Sequence, residues 1–464
     1  MKRFFYIFMI GLVAIQPVYG QNLDAYLDMA AEQNPRVKAV FLAYQSALQR
    51  VPQVGALPDP QLSMGVFLRP MQQMMGNQVA QISLMQMFPW MGTLDAAKEE
   101  AALSAKAKFD AFRDVRSSLF YEVKAIWYAL YLIEQERQIT AENIKIMHSL
   151  ETIAVNRFKS GATSGGVSPT PTGKETLMPI ATGGKGMTSI ASSGQMDPGG
   201  AGQEMAMGNN TNSAGKSELV DVLRTQMAIL ELENELHLLV DSKRVLVAHF
   251  NTLLNRAVDT EVEIANALQA PPLPIPVAQF PDSIVANNPI LSMLEEEERA
   301  LFAKKKVNHK MSFPKVGVGV QYGILQPRDG NTNPRNGRDM VMPTVSINLP
   351  IWRKKYHAAV QEAEFQRVAV TEEQREMHNT LLVSYEKALR DFEDAERRTG
   401  LFKKQTGLAE QALRILIVSY GAGGNAFEDV MEMQLRLLNY RLGLMNAVVD
   451  QNVAVAMLER LMGR

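Results

Sequence analysis

A mainly α-helical chain built from one unit used twice, each copy carrying a β-hairpin, is the fold that the sequence predicts. Three observations predict it: segments that recur at fixed offsets, two stretches that alternate between apolar and small or polar residues, and long apolar seams stepping by threes and fours. "LPDPQLSMGV" (Leu57–Val66) returns as "MSFPKVGVGV" (Met311–Val320), with Pro60 matching Pro314, Gly65 matching Gly319 and Val66 matching Val320. The offset is 314 − 60 = 254 in every case.

The chain opens on Lys2 and Arg3, an apolar run from Phe4 to Ile15 and the small-residue end Val18-Tyr19-Gly20, which is the layout of a signal peptide over residues 1–20. The mature chain is then exported. That run is too short to span a bilayer, and no later run of about 18 apolar residues is uninterrupted. The absence of cysteine excludes disulfides, thiolate metal ligands, nucleophilic thiols and a lipid-modified N-terminal Cys. With 48 Lys and Arg against 49 Asp and Glu there is no basic field to attract nucleic acid.

The first repeat occupies residues 21–270 and the second 271–464. Each begins with a helix at an Asn-Pro pair, Asn34-Pro35 and Asn288-Pro289, again 288 − 34 = 254 apart. A proline after each helix stops it and starts an extended run. Leu62, Met64, Val66 and Leu68 alternate with small or polar residues in the first copy, as do Val316, Val318, Val320, Tyr322 and Ile324 in the second. This period of two marks strands with one apolar face. Polar loops, Pro70 to Asn77 and Pro327 to Arg338, lead to second strands "QISLMQMFPW" and "PTVSINLPIW", so hairpins are expected over about 61–89 and 315–351.

Each hairpin runs into a long helix. Val115, Leu119, Val123, Ile126, Leu130 and Ile133 form a seam close to a coiled-coil repeat, in a helix expected over about 95–157 and roughly 90 Å long at about 1.5 Å per residue. Its counterpart covers about 353–418. The helices end at "NRFKSG" and "VSYGAGG", where Gly161 and Gly423 permit a left-handed turn, and return helices follow over about 217–257 and 426–462. Asp429 − Asp221 is 208, against 420 − 158 = 262 before the turn, so the first copy holds about 54 additional residues. This insertion, about 162–216, is rich in Gly, Ser, Thr, Asn and Met and cannot bury enough to order itself alone.

Several residues draw a sharper reading and do not sustain it. The insertion methionines Met178, Met187, Met196, Met205 and Met207 are soft ligands suited to Cu(I) or Ag(I), but they lack His, Cys or tight spacing. Met71, Met74 and Met75 suit an external loop, and Met85, Met87 and Met91 suit packing. His148, His237, His249, His309, His357 and His378 include no pair at ligand spacing, so no metal site is expected. "GKS" at Gly215 lacks the upstream glycine of a phosphate loop, and Glu295–Glu298 is a solvated helix face. No catalytic set is present, so neither an enzyme nor a cofactor is expected.

Four strands with one lipid-like face cannot close a barrel alone, which favours several chains donating strands together. At this level the chain resembles TolC-like outer-membrane efflux proteins. The resemblance is carried by the duplicated Asn-Pro helices, "LPDPQLSMGV", "QMFPWMG", "VSINLPIW", "RFKSG" and "SYGAGGNAFEDVMEMQ" in that order. It implies a homotrimer with a twelve-stranded outer-membrane β-barrel, four strands per chain, set on a periplasmic α-helical coiled-coil tunnel. The trimer would be the passive exit duct of a tripartite efflux or type I secretion-like system, docked to a periplasmic adaptor and through it to an inner-membrane transporter.

Carried over by position, the resemblance makes Asp429 and Glu432 acidic rings at the periplasmic mouth. They lie three apart on one helix face and number six carboxylates in a trimer, enough to attract cations. Tyr420 and Asp221 match latch positions, although the family's usual latch arginine is Asn425 here. Gly161, Ala162, Gly423 and Gly424 fall where adaptor hairpins dock. The competing reading is a soluble periplasmic coiled-coil adaptor or scaffold without a pore, which has no need of alternating strands.

Overall fold

The computed structural model describes residues 23–163, 213–264, 267–422 and 427–464. The signal-like stretch 1–20, nearly all of the insertion, Gly423 and Gly424 lie outside the described residues. The first repeat supplies α1 (Leu23–Gln33), α2 (Pro35–Val54), β1 (Gln61–Gln73), β2 (Gly76–Phe88), α3 (Thr93–Thr163) and α4 (Ser213–Leu253). The second supplies α5 (Phe280–Asn287), α6 (Pro289–Lys310), β3 (Lys315–Gln326), β4 (Met340–Asn348), α7 (Arg353–Gly421) and α8 (Phe427–Leu461). The fold is mostly helical with one four-stranded antiparallel sheet, and no helix among the described residues is long and apolar enough to cross a membrane.

Two compact units are present. One gathers the described residues up to Arg137 with Leu239–Thr406 and Tyr440–Arg464, and the other gathers Gln138–Leu238 with Gly407–Asn439. In the first unit, the duplicated Asn-Pro pairs do the same two jobs. The Asn34 side-chain oxygen accepts from the Arg36 and Val37 backbone N–H groups at 2.9 and 3.3 Å, capping α2, and its amide nitrogen donates to the Leu253 carbonyl at the end of α4, 2.8 Å away. Asn288 caps α6 through Ile290 and Leu291 and donates to the Leu461 carbonyl at the end of α8, at 3.0 Å. Asparagine is required because one side chain must offer both an acceptor and a donor. Proline follows because the first helical position needs no N–H.

The cores around these junctions are copies of each other. Tyr26 and Ala30 correspond to Phe280 and Ile284 (280 − 26 = 254), Leu119, Val123 and Trp127 to Leu381, Tyr385 and Leu389 (381 − 119 = 262), and Phe250 and Leu254 to Leu458 and Met462 (458 − 250 = 208). Each core therefore joins the first helix, the long helix and the return helix of one repeat. Even the helix ends agree: Asn255 and Gly463, 208 apart, both take positive φ, 52° and 74°, where the return helix stops. A side chain at Gly463 would also strike the Asn287 carbonyl.

The strands pair in the order β1-β2-β3-β4, so β2 and β3 join the two repeats and β1 and β4 are left as edges. Leu62, Leu84, Val320 and Pro343 form one continuous row across the sheet, and Met64, Ile82, Tyr322 and Val341 the next. This face is open: Val66 is 77 % and Val345 71 % exposed, values far from those of core residues. The opposite face carries Ser63, Ser83 and Gln321, then Gly65, Gln81 and Gly323. It is crowded, since a Cβ at Gly319 would lie 2.6 Å from the Leu84 carbonyl and one at Gly317 2.7 Å from the Met87 sulfur. Crowding on one face and openness on the other is what a sheet curling toward its polar face produces.

The turn of the first hairpin differs from the sequence expectation. β1 continues through Pro70 to Gln73, leaving Met74 and Met75 as the turn instead of a loop from Pro70 to Asn77. Proline is tolerated because β1 is an edge strand and its pairing shifts register between Val66 and Met71.

The double use of Asn288 can be separated by substitution. Asn288→Ser keeps a capping oxygen and loses the bond to Leu461, whereas Asn288→Ala loses both, at a cost of about 1–3 kcal/mol. Thermal unfolding of the detergent-purified chain followed by helical circular dichroism should rank wild type above Ser and Ser above Ala; coincident curves would contradict the junction's role. A second tie is pH-dependent. Arg367 and Lys305 hold the Glu364 carboxyl down to about 2 from its ordinary 4.5. A depressed acid stabilises above its unfolded pKa, so the contribution should be complete above about pH 4.5 and lost as pH falls toward about 2. The melting difference between wild type and Glu364→Gln should shrink over that window.

Candidate functional site

The second unit contains the end of α3, the start of α4, the end of α7 and the start of α8. α8 begins with Phe427 and buries Phe427, Val430, Gln434, Leu437 and Leu438, spaced as one helical stripe. The opposite face therefore presents Glu428, Asp429, Glu432 and Arg436 to solvent. Acids in the first turn suit the positive end of the helix dipole. Glu428 pairs with Arg224 of α4 at 3.1 Å, and Glu432 with Arg436 one turn along at 2.5 Å. Asp429 forms no ion pair among the described residues, so of the two mouth candidates it offers the less compensated charge.

Tyr420 is buried at the end of α7. Its ring packs on Phe427, with centroids 5.4 Å apart, and the Arg157 guanidinium of α3 lies 4.5 Å from the ring centroid. Arg157 also donates to the Tyr420 carbonyl at 3.3 Å, so one side chain holds both the ring and the terminal backbone of α7. The motif "RFKSG" does not by itself mark this arginine as a clamp, because only the fold brings the ends of α3 and α7 side by side. Asp221 is half-buried on α4, and its carbonyl accepts from the fully buried Thr225 hydroxyl at 2.8 Å.

Two further contacts fix the packing of these helices. The Gln226 amide donates to Glu151 at 2.8 Å, and this bond, aided by His148, holds the Glu151 carboxyl below the usual carboxylate range. Asn143 and Gln434, both buried, share a hydrogen bond of 2.6 Å between α3 and α8. A buried polar pair of this kind penalises any slip of one helix along the other. Gly161 and Ala162 lie within α3, which continues to Thr163, so the chain reversal expected at Gly161 falls outside the described residues with Gly423 and Gly424. Among the described residues no group of three His, Cys, Asp or Glu could hold a metal ion.

Residues 280–464, which hold all of α5 to α8 and both strands of the second hairpin, match the sequence model of the family described as outer membrane efflux protein. Comparison with curated proteins finds no match. Several solved structures share the fold over nearly the whole chain. CusC, described for transmembrane channel formation, matches with a TM-score of 0.71 at 13% identity, covering 96% of this chain and 92% of that one. The outer membrane protein VceC of Vibrio cholerae gives 0.66 at 14% identity, covering 95% of each chain. The MtrE outer membrane channel of Neisseria gonorrhoeae, in its open state, gives 0.64 at 13% identity, covering 95% and 88%. The resemblance to TolC-like proteins read from the motifs thus recurs in a family match to the second repeat and in a fold match to both.

The Arg157 clamp makes a local prediction. Arg157→Gln should raise amide hydrogen exchange in the last turns of α7, residues 414–421, several-fold while leaving the sheet unchanged. Unaltered protection there would show that Arg157 is not what holds the end of α7.

Proposed function

We propose that the whole chain, and not residues 280–464 alone, is the outer-membrane exit duct of a tripartite efflux or type I secretion-like pump. It acts as a homotrimer that conducts cargo passively and performs no catalysis. The four-stranded sheet carries this reading. One face is apolar along most of all four strands, with Gln86 beside Val318 as an exception, and β1 and β4 end it with unpaired backbone. Water disfavours that face and hydrocarbon disfavours those edges, so only closure with further strands within a bilayer satisfies both. Three copies of four strands give a twelve-stranded barrel, within the known range for such barrels.

The helices support the same stoichiometry. Leu223 and Leu230 of α4, and Leu408 and Ile415 of α7, are seven apart and half or more exposed. Heptad-spaced apolar residues without a partner in their own chain suit helices of a neighbouring copy. Across a trimer Asp429 and Glu432 would repeat around the periplasmic mouth, with Arg436 beside each Glu432 moderating its charge. Tyr420 and Asp221 would contribute to closing that mouth, and Gly161, Ala162, Gly423 and Gly424 would form the tip on which a periplasmic adaptor docks. The adaptor links the duct to an inner-membrane transporter, which supplies the energy.

Single-channel conductance in a planar bilayer tests the duct and its mouth together. Wild type should conduct and be blocked by added divalent or trivalent cations, and Asp429→Ala/Glu432→Ala should relieve most of that block. Asp429→Ala alone should relieve more of it than Glu432→Ala, whose carboxylate Arg436 already compensates. Block unchanged in the double variant would remove the acidic mouth. A folded chain that never enters membranes would instead be a soluble scaffold.

A further inference from the structure

Where β3 and β4 meet α6 and α7, the apolar face of the sheet gives way to a cluster of cations. α6 ends on His309 and Lys310, β3 starts at Lys315, and α7 starts with Arg353-Lys354-Lys355. Basic residues suit the C-terminal end of α6, but three cations in the first turn of α7, with no acid among them, oppose that helix's dipole. None of these Lys and Arg side chains forms an ion pair with a described carboxylate, although Lys305 and Lys306 nearby pair with Glu364 and Glu99. Lys310 instead donates to the Met91 carbonyl at 3.3 Å, and Lys355 rests near the Tyr356 ring. The chain thus gathers positive charge that repels itself and a helix end, a local violation of the kind that marks a binding site.

A cleft of about 490 Å³ lies in this cluster, lined by His309, Ser312, Arg353, Lys354, Tyr356 and His357. That volume suits a small polar group. Beside it the surface is apolar and aromatic: Trp352 is 77 % exposed next to exposed Ile351, and Trp90 stacks on Phe313 with centroids 5.1 Å apart. Tryptophan prefers the level where hydrocarbon meets headgroups.

We propose that this collar binds the headgroup of an anionic glycerophospholipid in the leaflet on the helix side of the sheet, an inference that rests on the outer-membrane reading above. Arg353 and Lys354 take the phosphate, the first through its planar fork and the second as a point charge. Lys315 and Lys355 add field, and Trp352 with Ile351 meets the upper acyl chains. A zwitterionic headgroup would bring its own cation into the cluster and be disfavoured. A free phosphate would leave the aromatic surface without an occupant.

The full chain, purified in nonionic detergent, is titrated with phosphatidylglycerol or phosphatidylcholine of the same acyl chains and bound lipid is counted by native mass spectrometry. Phosphatidylglycerol should be retained about fivefold or more over phosphatidylcholine, with the preference weakening as salt rises. Arg353→Gln/Lys354→Gln/Lys355→Gln should abolish the preference and Lys354→Arg/Lys355→Arg should keep it; circular dichroism verifies folding, and the single Lys354→Gln, expected to weaken it partly, serves if the triple variant does not fold. Equal retention of the two lipids, or an unchanged preference in the glutamine variants, would overturn the proposal. So would displacement of the lipid by millimolar inorganic phosphate, which would assign a free-anion site. Conductance of the same preparations is read in parallel. Pores without lipid preference remove only the collar, whereas no membrane insertion removes the outer-membrane reading and the collar with it.

Discussion

The rest of the structure depends on one constraint, that the helix leading into each hairpin must be anchored at its start to the end of its repeat's return helix. Asn34 and Asn288 meet it with a single side chain each, capping one helix and donating to the last carbonyl of another. A long helical excursion is tolerable only if its two ends are fixed, because loop closure otherwise costs entropy that grows with length. Since the bond is made at the return helix's end, residues inserted between the outgoing and return helices leave it untouched. The first repeat's additional residues lie there, and Asn34 still makes the bond that Asn288 makes in the second repeat.

The duplicated offsets explain why so much was legible without coordinates. Offsets of 254, 262 and 208 mark the three helical segments of a repeat, and the two cores obey all three. Alternation at Leu62 and Val316 revealed strands because a sheet with one apolar face has no other pattern available. What stayed hidden depends on which helices become neighbours. Arg157 on Tyr420 and Gln434 on Asn143 join residues of different helices, whose partners are set by packing and not by spacing. The extension of β1 past Pro70 was hidden for a different reason. A proline breaks a central strand but not an edge strand, and strand order is a tertiary fact.

The acidic end of α8 illustrates how a residue type acquires meaning from context. Glu428, Asp429 and Glu432 all favour the helix's N-terminal end, so their presence has a purely local reason. Context separates them. Glu428 is neutralised by Arg224 across to α4 and Glu432 by Arg436 within the helix, leaving Asp429 with the most exposed field. A threefold ring built from Asp429 would concentrate charge, whereas one built from Glu432 and Arg436 would alternate it. Such surface pairs contribute little to stability, so their arrangement bears mainly on the field they present.

Sheet and helices are incomplete in the same sense. Among the described residues the sheet has no further strand beside β1 or β4, and Leu230 of α4 and Ile415 of α7 are left exposed. In an ordinary monomer either defect would invite aggregation. Both are removed if neighbouring copies supply what one chain lacks, and the repeats' self-contained cores allow that order of events. Each Asn-Pro junction and its core is built from residues of a single repeat, which allows it to form within one chain before any partner arrives. Strand closure and helix seams would then follow together. The interactions that define a repeat are thereby separate from those that would define an assembly, so a substitution in the junctions should weaken the chain itself while one on the seams should weaken only its association.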